Sequence, residues 1–547
     1  MKPYILSILL GAAGLTAYAQ QPTQSKDSTL TRTVVVEREY TPEILDAQKV
    51  NVVPQVVPPS TSHPSVEYDQ QLRPASSVPA QVMSPYVAPL PQGSGWPGYL
   101  HVGLGNLSQW EAQAAYRFAP SKRDILSLNA FARGDKSDFD LSNQDTPWSS
   151  GHLSGGFDAL YTHRADRSEL TVRGDLGLRK FDLLPSSALA EQQFTTGSLS
   201  LGLRSTADEG QLLHYDARAS LGYHGRKEYV VSSEEKLSEM NLGLDGRVWA
   251  QLKESQWIDL GINLHQYLYS GLDELKNQTT LTLRPAFRYE TESWKIRLGL
   301  KSDLAFGYGK QWQAAPDVEA AYTTGSHVLY ARATGGRLTN DFQRLSQLAP
   351  YAKLPYAQAD ATYEQLNASA GWKGSPLPDF WVHLYGGYQQ LRNDLITIRD
   401  LMLGGTGYPW CPSVLFTKSH NLYGGAALRY SYRELFGLRL SALYRHWSLD
   451  EWEQEAFKPE LELEAALDLR PLRGVQLTAG YRHTTLSSDS YEALSDLYLQ
   501  GSYALDQVWR GLGVFLEAHN LLDKAYEFTP GVPALGLRVM GGVSLRF

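Results

Sequence analysis

The chain lacks most of the features that organise soluble enzymes and helical membrane proteins. Its 547 residues include one cysteine, Cys411, so no internal disulfide can form. Beyond the amino terminus, no apolar stretch reaches the roughly 18 residues that a membrane helix needs. A mean hydropathy of −0.33 is too polar for a helical membrane protein. The net charge of −8 is modest for this length and argues against a nucleic-acid partner.

Catalytic and cofactor motifs are also missing. There is no His-Glu-x-x-His, no Gly-x-Ser-x-Gly, no phosphate loop and no cysteine pair. Single histidines are scattered along the chain and are interpreted as solvated side chains: His163, His214, His224, His265, His383, His446 and His483. We therefore predict that the protein is not an enzyme and has no catalytic residue, no cofactor and no metal site. A catalytic set that meets only in the folded chain stays open as an alternative.

The amino terminus has the pattern of a secretory signal peptide over residues 1–19. Lys2 supplies the positive charge, a short apolar run follows, and Ala17 and Ala19 form a small-x-small cleavage site. We predict Gln20 as the first residue of the mature protein. Because no cysteine follows this site, we do not expect a lipid anchor.

Residues 20–97 form a proline-rich segment with almost no periodic apolar pattern. It contains twelve prolines and cannot bury enough apolar surface to offset the entropy of ordering it. We predict an extended periplasmic segment that acts as a linker or fills the lumen of the domain that follows.

Residues 98–547 consist of alternating segments typical of strands with one apolar and one polar face. In 461–470, Leu461 and Leu463 alternate with Glu462 and Glu464. Lipid outside and water inside explain such segments, so we predict an all-β fold: a transmembrane antiparallel β-barrel of about 22 strands. A soluble propeller also has many short strands, but it does not explain alternating segments of this length.

The predicted strands carry their own consistency check. Gaps after even-numbered strands are short, as periplasmic turns are, and most gaps after odd-numbered strands are longer. Strands are predicted at 379–394, 419–433, 436–449 and 459–469, among others. Eight tryptophans near proposed strand ends are predicted to form the interfacial girdles: Trp110, Trp257, Trp294, Trp312, Trp372, Trp381, Trp447 and Trp509.

The carboxy terminus carries the most specific signals. The final strand places Val543, Leu545 and Phe547 on one face and ends on the aromatic residue, which is interpreted as a barrel-assembly signal. Before it lies a signature made of Asn520, Leu521, Asp523, Lys524 and Tyr526. This signature and the final strand resemble the end of TonB-dependent receptors, although a compact Pro-Gly-Arg loop is replaced here by residues 533–538.

The resemblance implies a 22-stranded outer-membrane barrel in transport or receptor function. Members of that family also carry a folded plug of well over a hundred residues, which moves when the TonB protein pulls on a short amino-terminal box. Only the 78 residues of 20–97 are present here, so the chain resembles such a barrel without its plug. Val34, Val35 and Val36 are a candidate TonB-box-like or docking segment, although a simple β segment of a linker is favoured.

A barrel of this size needs something to close its lumen. The candidates are the 20–97 segment, the long extracellular loops and a partner protein. In loop 337–358, a short helix is predicted over residues 341–348. Loop 395–418, with Trp410, is apolar for a surface loop, which indicates a binding surface or an inward-folded constriction.

Two functions remain nearly level at this point. The first is transport or receptor function across the outer membrane. The second is a non-conducting barrel that serves as a subunit or scaffold of an outer-membrane secretion, assembly or nutrient-uptake complex. The expected partners are outer-membrane lipid and the barrel-assembly machinery, with a periplasmic protein or a lipoprotein as a further candidate.

Overall fold

The chain forms a closed β-barrel. The computed structural model describes residues 96–141, 147–206, 213–230, 233–354, 358–401, 410–433 and 435–547. Over these residues, 22 strands make one sheet in which each strand is antiparallel to its neighbours. The predicted fold class, including the strand number, is confirmed. The predicted signal peptide, its cleavage site at Ala17 and Ala19, and Val34 to Val36 lie outside the described residues.

The barrel strands are numbered along the chain, with β22 and β23 reserved for a small separate hairpin. The first eleven are β1 (Gly98–Gly105), β2 (Trp110–Phe118), β3 (Asp124–Phe139), β4 (Trp148–Arg164), β5 (Ser168–Asp182), β6 (Glu191–Ser205), β7 (Leu213–Val230), β8 (Ser233–Lys253), β9 (Gln256–Ser270), β10 (Gln278–Glu290) and β11 (Trp294–Phe306). The others are β12 (Trp312–Thr324), β13 (His327–Leu338), β14 (Thr362–Leu377), β15 (Phe380–Leu401), β16 (Trp410–Tyr432), β17 (Phe436–Leu449), β18 (Pro459–Leu469), β19 (Val475–Leu486), β20 (Leu494–Ala504), β21 (Leu512–His519) and β24 (Arg538–Arg546). The hairpin comprises β22 (Glu527–Thr529) and β23 (Val532–Pro533), and helix α1 is Phe342–Leu348.

The two faces of the sheet differ in polarity. Side chains such as Leu104 and Leu176 point outward and are 70% and 65% exposed. In the final strand Val543 also points outward, whereas Met540 is buried on the inner side. A closed barrel with an apolar outer belt pairs its backbone groups within the sheet, as a protein in lipid must. This structure is that of an outer-membrane protein, and the protein resides in the outer membrane. Among the described residues, no helix is long and apolar enough to cross a bilayer.

The two ends of the barrel are unequal. Connections after even-numbered strands have two to seven residues. Connections after odd-numbered strands reach 23 residues at 339–361 and 18 residues at 520–537. Since outer-membrane barrels have short periplasmic turns and longer extracellular loops, the second set marks the extracellular end.

The prediction of a loop over residues 395–418 is wrong for most of that range. β15 continues to Leu401 and β16 begins at Trp410, so a long two-stranded extension replaces the expected loop. Leu395 and Ile396 are fully buried there by neighbouring loops. Because both faces of this extension are covered, the sequence lacks the alternation from which the other strands are recognised.

The tryptophan girdles are present only in part. Trp110 and Trp312, at the extracellular ends of their strands, are exposed, as are Trp294 and Trp509 at the periplasmic end. Trp447 instead points inward, is 4% exposed, and donates a hydrogen bond from Nε1 to the Pro459 carbonyl oxygen at 2.7 Å. Position near a strand end therefore does not by itself place a tryptophan in the lipid interface.

The barrel closes where β1 pairs with β24, and the packing at this seam depends on glycine. Gly103 and Gly542 lie opposite each other across the two strands. The Phe515 ring covers both glycines and stacks on His101, with ring centroids 4.1 Å apart. A Cβ atom at Gly542 would collide with the Val102 carbonyl oxygen and with the Phe515 ring.

We expect Gly542→Ala to lower the stability of the barrel by about 1–3 kcal/mol, the usual cost of overpacking. The backbone carbonyl of Val102 is part of the closing ladder and cannot move aside without breaking it. The matched control is Gly541→Ala, because a Cβ there meets only ordinary contacts at 3.5 Å. Thermal unfolding in detergent, followed by the β-sheet circular dichroism signal, measures the difference. Equal melting temperatures for the two variants would contradict this account of the seam.

Candidate functional site

The described part of the loop between β13 and β14, residues 339–354 and 358–361, folds into the lumen and carries α1. Asp341 caps the helix: its backbone is extended and its Oδ1 accepts the Arg344 N–H at 2.7 Å. The helix has one apolar face, where Phe342 and Leu345 are buried, and one polar face with Gln343 and Arg344. The predicted short helix in this loop is present and points inward.

The apolar face of α1 is fixed to the barrel wall at β7 to β9. The Phe342 N–H donates to Glu239 Oε2 on β8 at 2.5 Å, and the Phe342 ring lies 5.0 Å from that of Tyr269. His224 Nε2 and Arg226 Nη1 on β7 lie 3.0 and 3.1 Å from the same hydroxyl, Ser346 Oγ. The helix therefore lies against the wall several strands away from the strands that carry it.

Beyond α1 the loop enters an apolar cluster at the extracellular mouth. Tyr351 lies with its ring 4.7 Å from Phe181 and 5.5 Å from Phe528, and its hydroxyl is hydrogen-bonded to His152 Nε2. The mouth cluster, as we call it, consists of Leu141, Trp148, Phe181, Leu183, Leu184, Leu189, Phe194, Tyr351 and Val532, with Phe139, Trp410 and Phe528 packed against it. Its members come from five different extracellular connections or strand ends, which it joins into one body.

Contacts between the extracellular connections bridge the lumen. We call the mouth cluster, together with the contacts of Ser186 and Arg399 given next, the lumen bridge. Ser186 Oγ, in the loop after β5, donates to the Trp410 carbonyl oxygen at the start of β16 at 2.6 Å. In a ring of 22 strands, β5 and β16 are eleven places apart and so lie on opposite sides. Arg399 on β15 adds a second connection, since it pairs with Glu527 of the small hairpin at 2.9 Å and donates to the Ser490 carbonyl at 2.9 Å.

A buried ion pair holds the loop between β17 and β18. Lys458 Nζ lies 2.7 Å from Asp394 Oδ2, and the two side chains are 0% and 1% exposed. The ammonium also lies 4.3 Å from the centre of the Trp447 ring, and Ser419 Oγ donates to Asp394 Oδ2 at 2.6 Å. Burial lowers the pKa of Lys458 from its usual value, and Asp394 opposes that shift.

Below α1 the wall of the barrel contains a polar cavity of about 470 Å³. Residues of α1 line it together with residues of β9, β10, β11, β13 and β14. Four cations line it, namely Arg284, Lys301, Arg337 and Arg344, together with His265 and Asp303. Within the described residues, no three histidine, cysteine or acidic side chains converge as a metal site would require.

The residues of the carboxy-terminal signature lie outside this cavity. Asn520 is fully buried, with Oδ1 accepting the Lys524 N–H at 3.0 Å and Nδ2 donating to the Leu535 carbonyl at 3.2 Å. Asp523 Oδ1 accepts the Leu537 N–H at 2.9 Å. Leu521 and Tyr526 belong to the same loop, so the contacts of this segment organise the connection between β21 and β24.

Sequence reasoning missed three residues that hold the extracellular connections together. Tyr351, Arg399 and Lys458 carry no local motif, and their partners lie 64 to 199 residues away. His224 was interpreted as solvated but is 3% exposed. The one available signal is the occurrence of apolar and cationic residues together in long extracellular connections, which is costly unless they are buried and paired.

We expect Asp341→Asn to strengthen the attachment of α1 at neutral pH. Burial raises the pKa of Asp341 above its usual value of 3.8. A raised carboxyl pKa gives stability that is complete below pH 3.8 and is lost as the pH rises through the folded-state value. Asparagine keeps the capping oxygen and removes the titration. Hydrogen-exchange protection factors over residues 342–349 should fall more with rising pH in the wild type than in the variant, in which only the neighbouring Glu239 carboxyl, the acceptor of the Phe342 N–H, still titrates. Parallel falls in both proteins would contradict this.

We expect Lys458→Met to destabilise the protein by about 3–5 kcal/mol, because it leaves the Asp394 carboxylate buried without its cation. Lys418→Met is the matched control: Lys418 pairs with Asp450 at 2.8 Å, but both side chains are about half exposed. An exposed pair of this kind contributes about 0–1 kcal/mol. Denaturant unfolding in micelles compares the variants, and similar losses in both would show that burial of the first pair is unimportant.

Comparison with known proteins identifies the fold. No protein-family model matches the sequence, and no curated protein matches it. The barrel is similar to the FrpB iron transporter of Neisseria meningitidis, F3-3 variant, at 11% identity over 83% of this chain and 82% of that chain, with a TM-score of 0.65. It is also similar to the ferric-catecholate import receptor Fiu of E. coli K12, at 8% identity, 83% and 82% coverage and a TM-score of 0.61.

A third similar structure is a mutant of the ferric enterobactin receptor PfeA of Pseudomonas aeruginosa in complex with enterobactin. It shares 12% identity over 82% of this chain and 81% of that chain, with a TM-score of 0.64. These neighbours are transporters and receptors rather than enzymes. At such low identities the similarity concerns the fold, and the chain has the barrel fold of outer-membrane TonB-dependent receptors.

Proposed function

We propose that the protein is an outer-membrane transport or receptor barrel, resembling a TonB-dependent receptor without a separate plug, whose own extracellular loops close the mouth. The lumen bridge carries this proposal, because the loops after β5 and β13 and the hairpin before β24 meet across the barrel. A closure made of loops can open when the loops move, whereas the hydrogen-bonded wall of the barrel stays fixed. The fold shared with iron transporters and receptors supports the same function class.

The lumen wall below the bridge supports a path for polar solutes. Its charged side chains form cross-strand ion pairs that remain in contact with solvent, as at Arg173–Asp158 and Arg439–Asp468, where the arginines are 58% and 52% exposed. Such a wall presents both signs of charge and many hydrogen-bonding groups to a solute.

The second candidate is a non-conducting subunit or scaffold of an outer-membrane secretion, assembly or nutrient-uptake complex. The extent of the lumen bridge favours it, because a mouth closed by an apolar cluster and by buried ion pairs also suits a barrel that never opens. In this alternative, residues 20–97, including Val34 to Val36, dock onto a periplasmic protein or a lipoprotein.

We expect the double variant Ser186→Ala, Tyr351→Ala to form larger and longer-lived openings in planar bilayers than the wild type. The two substitutions remove the hydrogen bond to Trp410 and the ring at the centre of the mouth cluster. Single-channel conductance of the mature protein measures the change. Tyr444→Ala is the control, because this side chain is exposed on the outer face.

Deleting residues 20–97 from the same proteins separates the remaining alternatives. Openings that require both the loop substitutions and the deletion would assign part of the closure to the amino-terminal segment. Silence in every variant would contradict the transport proposal and favour the scaffold, for which affinity purification should recover fixed partners that are lost on deletion.

A further inference from the structure

We infer that the cavity beneath α1 binds a small anionic ligand, one that carries a phosphate or carboxylate group together with hydroxyl groups. This inference rests on the proposed function, since it names the ligand class of a barrel that binds or passes solute. The cavity volume of about 470 Å³ lies within the range of small-molecule sites, roughly 300–1,000 Å³. The reasons for an anion lie in the cations, the carboxylates and the backbone around it.

Cationic side chains approach the cavity from four elements, namely β10, β11, β13 and α1. Arg284 comes from β10, Lys301 from β11 and Arg344 from α1. With Arg337 they make four positive charges against three carboxylates, a net charge of +1 if His265 is neutral. Cations that line one cavity from several elements are suited to bind an anion between them. The charge-assisted hydrogen bonds that they form are stronger than neutral ones.

The three carboxylates of the cavity already accept hydrogen bonds from neutral donors. Asp303 accepts from the Thr282 hydroxyl at 2.5 Å and from the Arg337 backbone N–H at 3.0 Å. Glu364 accepts from the amides of Asn367 and Gln389 at 3.0 and 2.7 Å. The third carboxylate, Asp341, accepts the helix-capping N–H. These carboxylates therefore take part in the local hydrogen bonding of the cavity wall, and Arg344 also attracts Asp341 by its charge.

Arg284 is the side chain whose hydrogen bonding is least complete. Its Nε is buried and has no hydrogen-bond partner among the described residues. The side chain lies over Gly261, where a Cβ atom would come within 3.0 Å of that nitrogen. Because the buried Nε is out of reach of the cavity, an anionic ligand would be bound through the terminal nitrogens of this guanidinium, which lines the cavity.

The backbone of β13 makes the room. Its pairing with β14 shifts register between Thr334 and Gly336, which is the mark of a β-bulge. At Gly335 a Cβ atom would collide with the Glu364 carbonyl oxygen, and Gly336 has a φ of +136° that favours glycine. Bulges at the rim of a barrel re-aim side chains, and here Lys301 Nζ reaches the Gly335 carbonyl at 2.8 Å.

The test is isothermal titration of the purified full-length mature protein, in neutral detergent, with glucose 1-phosphate, inorganic phosphate and glucose. We expect both phosphates to bind, glucose not to bind, and affinity to fall as salt is added. Arg284→Gln should weaken glucose 1-phosphate binding about tenfold or more, the loss expected for one charge-assisted hydrogen bond. The control is Arg439→Gln, a lumen-facing arginine paired with Asp468 at 3.1 Å, which should bind as the wild type does.

If Arg284→Gln fails to fold, Arg344→Gln tests the same cavity from the helix side with the same expected loss. The inference would be overturned if neither phosphate bound at concentrations up to about 10 mM. It would also be overturned if Arg439→Gln lost as much affinity for glucose 1-phosphate as Arg284→Gln. If the loop variants conduct but the protein binds neither phosphate, the inferred ligand class is wrong and the proposed transport function stands. If the protein binds the phosphates but no variant conducts, the anion site stands and the transport function is wrong.

Discussion

The structure depends on one constraint: a chain in the hydrocarbon layer must pair every backbone N–H and C=O with another part of itself. Each unpaired group costs several kcal/mol in lipid, so the sheet can have no free edge. The pairing of β1 with β24 meets this requirement and makes the first and last strands neighbours. Closure with 22 strands then creates a wide lumen, and the polar wall, the unequal ends and the inward-folded loops all follow from it.

The lumen wall shows how charge is accommodated in such a barrel. Asp259 on β9 lies within 2.7 to 2.9 Å of three guanidinium groups, those of Arg247, Arg288 and Arg297, from the two flanking strands and the strand beyond. Arg297 in turn pairs with Asp317 on β12. Alternating signs across strands neutralise the wall without a bound partner. The cavity beneath α1 differs, because four cations and three carboxylates line one enclosed space and a bulge interrupts the wall there.

The sequence predicts those parts of the structure whose cause is local. Strands 436–449 and 459–469 match β17 and β18 at both ends, because lipid on one face and water on the other force an alternation of two residues. The same rule fails for residues 395–401 and 410–418, where loops bury both faces and the alternation disappears. The fold class follows from this repeated pattern, and the final strand on Phe547 supports it.

The candidate site was not predictable in the same way. The short helix is foreseen from its local pattern, but its position in the lumen depends on partners such as Glu239 and His224, more than a hundred residues away. Tyr351, Arg399 and Lys458 have ordinary neighbours in sequence, and their roles exist only once parts of the chain 64 to 199 residues apart come together. Long-range contacts of this kind leave no periodic pattern in one chain.

One loop contributes both to the cavity and to the closure, which links the two physically. Arg344 lines the cavity from α1, and seven residues later Tyr351 lies at the centre of the mouth cluster. If withdrawal of the loop opens the mouth, it also removes Arg344 from the cavity, so an anion held by Arg344 must favour the closed state. Linkage then requires the reverse: any change that shifts the loop toward the withdrawn state must lower the apparent affinity for the anion. Ligand affinity and mouth opening are in that case two measures of a single equilibrium, set by the contacts of residues 339–361.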